Sequence, residues 1–339
     1  MPLPLHALFY SAIVELTYDL AKVGYMYQVD IDVAPAYELA LSLAAYLDRQ
    51  AYKTLDLGTR WVARVRETLD HPFVDALAAL RDVPGKPVLD LLIWQCPTKR
   101  TTRDFLQWLA GLSAGEIYEH IAPYVPIGAS WLPRDLGALR DQVGPLLTHW
   151  DDQYFRYIEP AILDGLCADA AVKRALLETT APDVVVEAAT SGVYVEPVAD
   201  LDRVVLVPQY HYRPWNHTQA YHRVRLFLYA VDALPSGADE PSPRLQRVTR
   251  AFADDTRLRL LRFLATGPQS FSAIVAWAGI PKSTVHYHLV ALRAAGLVRI
   301  HDAGRGNDTF SLRTAAVTAL SHDLADFFHM TDDADGTAP

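Results

Sequence analysis

Lys282, Ser283, Thr284, His286, Tyr287 and Arg293 fall within one short stretch, PKSTVHYHLVALRAA. Its Val285, Leu289 and Leu292 recur at i, i+4 and i+7. That spacing predicts a helix from about Pro281 to Ala295 with its aliphatic side chains turned inward. The outward face then shows cations, hydroxyls, imidazole and phenol, with no carboxylate to repel phosphate. A helix of this kind fits the major groove, where its N-terminal residues meet base edges. Ser283 and Thr284 stand in the first turn, where hydroxyls and free backbone N–H groups reach phosphate. Arg305, within AGRGND, belongs to a hairpin tip suited to the minor groove or to a phosphate. The chemistry implied is recognition of double-stranded DNA.

The charge distribution agrees. The chain of 339 residues carries a net charge of −9, yet residues 244–330 hold eleven Arg or Lys against six Asp. Residues 1–243 hold twenty basic and thirty-one acidic residues, and 331–339 adds three Asp. Between Thr256 and His301 there is no acid, while Arg257, Arg259, Arg262, Lys282, Arg293 and Arg299 all fall there. A like-signed stretch in an acidic chain suits a polyanion, because the local field at a contact face steers it.

The elements that must position these residues read in order. Arg244–Ala253 is a short helix. Asp254 is placed to cap a second, Thr256–Thr266, with Leu258, Leu261 and Leu264 inward and Gly267-Pro268 ending it. Ser272 is placed to cap a third through Ala278, with Gly279 just past its end. Ile280-Pro281 makes a turn into the fourth helix, which Gly296 ends. Leu297–Ile300 and Thr309–Leu312 form a hairpin, and Ala316, Val317, Leu320, Leu324 and Phe327 stripe a last helix. This is a helix–turn–helix followed by a two-stranded wing.

The stretch resembles the winged helix–turn–helix of the ArsR (SmtB/ArsR) family of bacterial repressors. The matching motifs are D-x-T-R-L-R-L-L at 254–261, S-T-V-x-x-H-L at 283–289, L-R-x-A-G-L-V at 292–298 and a glycine-rich wing leading to F-S-L. The resemblance covers about 85 of the 339 residues. It implies recognition through Lys282, Ser283, Thr284, His286 and Tyr287, with Arg305 in the wing. It also implies a homodimer joined through Arg244–Ala253 and Arg313–Phe328, an inverted-repeat operator, and repression. Four departures stand out. Pro281 occupies a position where a capping Ser is common. Trp277 is bulky where the family is usually small, and is expected to pack on the linker or the body. Residues 270–278 contain no cysteine, so the thiolate site of the arsenic, lead and cadmium sensors is missing. His322, Asp323 and His329 do not keep the spacing of the family's other metal site.

ALPSGADEPSP, residues 233–243, reads as a linker between a body, 1–232, and the unit 244–330, with 331–339 a frayed tail. In the body, Val29–Val33 alternates as a short strand and Pro35 opens a helix through Leu47. Helical periods follow near 58–69, 72–82, 87–95, 102–111, 114–122, 134–148, 150–165 and 169–179. Val184–Glu187, Val193–Val195, Arg203–Val207 and Val224–Tyr229 read as strands of a small sheet closing the domain. The fold class is therefore mainly α with small β elements (α+β), not alternating βαβ.

A body of this size before such a head is expected to sense a small-molecule effector or a partner. Pro208–Arg225, PQYHYRPWNHTQAYHRVR, is its most unusual stretch. Tyr210, His211, Tyr212, Trp215, His217 and Tyr221 either cover the sheet or line an organic-ligand pocket. Alternatively His211, His217 and His222 bind Zn²⁺, although their spacing matches no strong metal signature. A His-based metal sensor, using either these three or His322 and His329, is thus one rival function. The other is an enzyme or ligand-binding protein whose head serves only dimerisation.

No Walker loop, G-x-G-x-x-G, G-x-S-x-G or H-E-x-x-H occurs, so no catalytic residue and no cofactor are expected. Two cysteines, Cys96 and Cys167, exclude a disulfide scaffold. MPLPLHALFY lacks a basic n-region, and no run of 18 apolar residues occurs. A reduced, cytoplasmic, soluble protein with no membrane partner is expected.

Overall fold

β3 (Leu201–Gln209) is apolar on both faces, and a strand of that composition needs cover on both sides. The computed structural model describes residues 27–232, 240–302 and 308–328, and it supplies that cover. β3 lies between β1 (Gln28–Ile31) and β5 (Arg223–Ala230), parallel to both, and β4 (His217–Tyr221) pairs antiparallel with β5 at the edge. Val205 and Val207 face one helical layer with Leu226 and Leu228. Val204 and Leu206 face another with Phe227 and Tyr229.

The larger layer is built on α1 (Pro35–Leu47), which starts with Pro at its first turn and is buried from Ala36 to Leu47. Around it lie α2 (Gly58–Thr68), α3 (His71–Ala78), α4 (Lys86–Gln95), α5 (Thr102–Gly111), α6 (Ala114–Ile121) and α7 (Leu136–Gln153). The smaller layer comes from α8 (Pro160–Leu177) and α9 (Pro182–Ala189), through Leu166, Val185, Val186 and Ala189. The architecture is α+β, mainly helical.

Three local expectations change. Val184–Glu187 is not a strand but the middle of α9. Pro182 at the first turn and Asp183 beside it favour a helix start, and Val185, Val186 and Ala189 share its buried face. The periods 134–148, 150–165 and 169–179 resolve into two long helices, α7 and α8, broken between Tyr154 and Glu159. The stretch 208–225 contains the edge strand β4, whose alternation of half-buried and exposed residues the run of aromatics obscures.

β2 (Val193–Val195) gives the larger correction. It does not close the body's sheet. It pairs in parallel with β7 (Val298–Asp302), the first strand of the wing, at the register Val193↔Ile300, Tyr194↔His301 and Val195↔Asp302. The second sheet runs β2–β7–β8–β6, with β8 at Thr309–Leu312 and β6 at Gln269–Ser270. Gly192 enters β2 at φ +123, where a Cβ would stand 2.6 Å from the Val298 carbonyl oxygen. Glycine is required there both for the backbone angle and for the close approach.

Ion pairs reinforce this junction. Glu187 of α9 faces Arg299 of β7 at 2.9 Å and Arg313 at 3.4 Å. Arg225 of β5 lies 3.8 Å from Asp302. Arg247, on α10 (Pro243–Phe252), reaches Asp56 and Asp232 of the body at 2.6 Å each and donates to the Ala294 carbonyl at 2.7 Å. Burial penalises the Arg247 charge, yet Asp232 and Asp56 together hold its pKa above the ordinary value.

The head packs α10, α11 (Asp255–Leu264), α12 (Phe271–Ala278), α13 (Lys282–Ala294) and α14 (Thr314–Phe327) around Val248, Leu260, Leu261, Ile274, Val285, Leu289 and Leu292. Asp254 caps α11 by accepting from the Arg257 N–H. Leu258 is 44% exposed, and Leu260 takes the inward place instead. Ser270, not Ser272, caps α12; the two hydroxyls bond each other at 3.0 Å. On α14 only Ala316 is fully buried, while Arg244 of α10 pairs with Asp323 and ties the two helices. Residues 233–239 of the expected linker and the tail 331–339 lie outside the described residues, and Pro243 already opens α10.

Arg247→Ala removes the cation that bridges Asp56 and Asp232. The variant is expected to lose about 2–4 kcal/mol, because two partly buried carboxylates are left facing each other unpaired. Urea denaturation followed by tryptophan fluorescence measures it; a change below about 0.5 kcal/mol would remove Arg247 from the junction's energetics.

Candidate nucleic-acid interface

Gly279 sits at φ +64, just past the end of α12, and its N–H bonds the Val275 carbonyl. That left-handed residue turns the chain so that Ile280 and Pro281 lead directly into α13. Pro281 provides no side-chain cap, but its carbonyl accepts from the N–H groups of Thr284 and Val285 at 2.9 and 3.1 Å. The orphan donors of the first turn are Lys282 and Ser283, and both residues are exposed.

Val285, His288, Leu289 and Leu292 fill the inner face of α13. Lys282, Ser283, His286 and Tyr287 stand on the outer face, Tyr287 with 66% of its surface exposed. Thr284 is half-buried at the edge of that face. The Lys282 ammonium lies 5.6 Å from the Phe271 ring centroid, and the His286 ring 6.5 Å from it. Phe271 of α12 thus supports both side chains from below. Arg293 is exposed at the far end of α13. Arg305 lies outside the described residues. α13 carries no acid in its first turn or anywhere along its length.

Trp277 does not pack on the linker or the body. It stacks on Phe263 of α11 with ring centroids 4.5 Å apart and an interplanar angle of 8°. Arg259 lies 5.8 Å from the indole, which remains 42% exposed. The bulk that departs from the ArsR pattern is accommodated inside the head, between its second and third helices.

Residues 252–301, from the end of α10 to β7, match a family described as a helix-turn-helix domain. The C-terminal unit is a helix–turn–helix domain. Among solved structures the chain is similar to an ArsR-like transcriptional regulator from Rhodococcus sp. RHA1, at 27% identity over 25% of this chain and 80% of that one, with a TM-score of 0.24. It is also similar to a homodimeric winged helix–turn–helix DNA-binding domain from Mycobacterium bovis, at 22% identity over 28% and 88% of the two chains, with a TM-score of 0.21. No curated protein matches the chain. The helix–turn–helix head is thus attached to a body to which these comparisons give no function. No described helix is long and apolar enough to cross a membrane.

The body's candidate residues separate. The His211 ring is buried, with Nδ1 against the Glu38 carboxylate and Nε2 2.7 Å from the Tyr154 hydroxyl, which also accepts from Trp61. Glu38 further accepts the N–H groups of Tyr210 and His211. Tyr210 packs on the Arg213 guanidinium at 4.1 Å, Trp215 donates to Thr54 and Tyr221 to the Pro87 carbonyl. Only Tyr212 and His217 share a cleft, of about 840 Å³, with Leu47, Asp48, Arg49 and Asp82. His211, His217 and His222 do not converge: His217 and His222 lie at opposite ends of β4, and both His211 nitrogens are taken. Among the described residues no three His, Cys, Asp or Glu side chains form a metal-binding group. His322 is exposed on α14, and His329 lies outside the described residues.

Glu38 was not marked by the sequence reading. Its signal was available: it is the single charge in PAYELALSLAAYL, and a carboxylate in such a helix must find donors.

Burial, with Lys86 adding to it, pulls the His217 imidazole down to about 2. The neighbouring Asp90 carboxylate is already held by Lys86 at 2.7 and 2.9 Å. The folded protein therefore keeps His217 neutral, while the unfolded chain takes up the proton below its ordinary value of 6.5. The stability this gives is present above pH 6.5 and is lost as the pH falls from there toward 2, at up to about 1.4 kcal/mol per unit. His217→Gln is expected to flatten the fall of the urea midpoint between about pH 6.5 and 4.5. Parallel curves for the variant and the parent protein would contradict it.

Proposed function

We propose that the protein is a homodimeric, sequence-specific transcription regulator of ArsR type. It binds duplex DNA through α13, acts as a repressor, catalyses no reaction, and carries in its body the site for a small molecule or partner. One observation carries the reading: Lys282, Ser283, His286 and Tyr287 project together from a helix whose opposite face is locked in the core, with no carboxylate among them. Such a face offers donors and an aromatic ring to base edges, and its first-turn N–H groups to phosphate.

In a dimer two copies of α13 meet successive major grooves of an inverted repeat, joined through α10 and α14. The attachment of the body supports a regulatory role. β2 is hydrogen-bonded to the wing strand β7, and Glu187 holds Arg299 of that strand. A ligand that prefers one arrangement of the body changes the wing's position, and with it the affinity for an operator.

Gel shifts with genomic fragments, repeated across salt concentrations, test the reading. Affinity is expected to exceed that for random DNA and to fall steeply with salt. Lys282→Ala should weaken operator binding by roughly 1–3 kcal/mol, and combining it with Arg305→Ala should weaken it further and lower the salt slope. Unchanged binding by the double variant would remove α13 and the wing as the DNA face. No preference over random DNA at any salt would favour a head that serves dimerisation alone.

A further inference from the structure

A second cavity of the body, of about 380 Å³, opens between the end of α1, the following loop, α2 and α3. Tyr46, Leu47, Val62, Val74 and Leu77 give it an apolar lining, and Tyr52 closes one side. Among the described residues its only charges are the guanidinium groups of Arg49 and Arg66, and no Asp or Glu lines it. Among the described residues neither arginine forms an ion pair with a carboxylate. Arg49 spends one N–H on the Ala78 carbonyl and keeps the rest of its fork, and Arg66 is exposed at the rim. The contrast with the adjoining 840 Å³ cleft is chemical. That cleft shares Arg49 and also carries Arg81, but it adds two carboxylates: Asp48, which accepts from Tyr212, Gln50 and Ala51, and Asp82, which accepts from Val83.

We propose that the cavity between α1, α2 and α3 is a binding site for an aromatic or aliphatic organic anion, a carboxylate whose apolar part lies on Tyr46, Val62, Val74 and Leu77 while Arg49 and Arg66 take its charge. The volume lies in the range of about 300–1,000 Å³ usual for small-molecule sites, and a mainly apolar wall with a few placed polar groups is their usual composition. Two cations without a carboxylate select against amines, and planar guanidinium groups match a carboxylate in two-point hydrogen bonding.

The site also touches the junction. Tyr52 of its wall and Asp56, which holds Arg247 of the head, belong to the same short loop between α1 and α2. Asp56 further donates its N–H to the Arg213 carbonyl. An occupant that moves Tyr52 therefore acts on the loop that grips α10. The inference rests on the reading of the body as a sensor only for that consequence, not for the binding itself.

Isothermal titration calorimetry of the full chain with 2-naphthoate, 2-naphthylmethanol and 2-naphthylmethylammonium tests the site. Naphthoate is expected to bind once per chain and at least about tenfold more tightly than the alcohol or the amine, a difference of about 1.4 kcal/mol. Arg49→Ala is expected to weaken naphthoate by about tenfold, and Arg66→Glu to abolish its preference over the alcohol. Because Arg66 is exposed, Arg66→Glu keeps the test decisive even if loss of the Arg49–Ala78 bond unfolds the first variant. Absence of saturable naphthoate binding, equal affinity for the three probes, or an unchanged preference in Arg66→Glu would overturn the proposal. Naphthoate binding by a chain that ignores DNA would leave the site standing and sink the regulator reading; DNA binding without naphthoate binding would do the reverse.

Discussion

The Glu187 carboxylate is the pivot on which the two halves of the chain depend. It faces two arginines of the head, Arg299 and Arg313, while five residues further on the same backbone turns at Gly192 and enters the wing's own sheet. Burial drives the Arg313 guanidinium below its ordinary pKa, and Glu187 is the charge that opposes that penalty. A side chain and a strand from one short segment thus fasten the body to the head by charge and by backbone hydrogen bonds together. A tether alone would leave the two units free; this junction sets their relative position through directional contacts.

That constraint explains how the rest of the molecule is arranged. The three parallel strands and their two helical layers hold α9 rigidly, because Val185, Val186 and Ala189 are locked against Val204 and Leu206. α9 in turn aims Glu187 and β2 at the wing. A second anchor lies near the same end of α13, where Asp56 and Asp232 receive Arg247, which also donates to the Ala294 carbonyl, two residues before the Gly296 carbonyl that Arg313 reaches. The head is therefore held at two separated points, one on the wing and one on its first helix. The outward face of α13, from Lys282 to Tyr287, stays exposed at the other end of that helix.

The head was legible in the sequence because each of its signals is local. Val285, Leu289 and Leu292 declare a buried stripe, Gly279 a left-handed turn, Asp254 a cap, and each acts within four residues of itself. The exceptions are equally local: Leu258 and Leu260 differ by the phase of one helix, and Ser270 displaces Ser272 as cap by two residues. The body was less legible because its decisive partners are distant. Nothing near Val193–Val195 says that it pairs with residues a hundred positions later, and three β-branched residues in α9 read as strand until Pro182 is weighed. The aromatic stretch 208–225 reads in sequence as cover for the sheet or as a pocket, and its partners are scattered over distant segments: His211 meets Glu38 and Tyr154, Tyr212 meets Asp48, Trp215 meets Thr54 and Tyr221 meets Pro87. Arg49 and Arg66 gave no signal at all, since a cavity between three helices leaves no pattern in any one of them.

The parallel pairing of β2 with β7 bears on any attempt to handle the head separately. Cut from the body, the domain would lose the backbone bonds that Gly192 and Glu196 make along the β7 edge, and Arg299 and Arg313 would lose the Glu187 carboxylate. An exposed edge of that kind invites a neighbouring copy to supply the missing strand. The excised fragment is thus poised to self-associate through its wing, a mode of assembly that the intact polypeptide forecloses by filling the position from within.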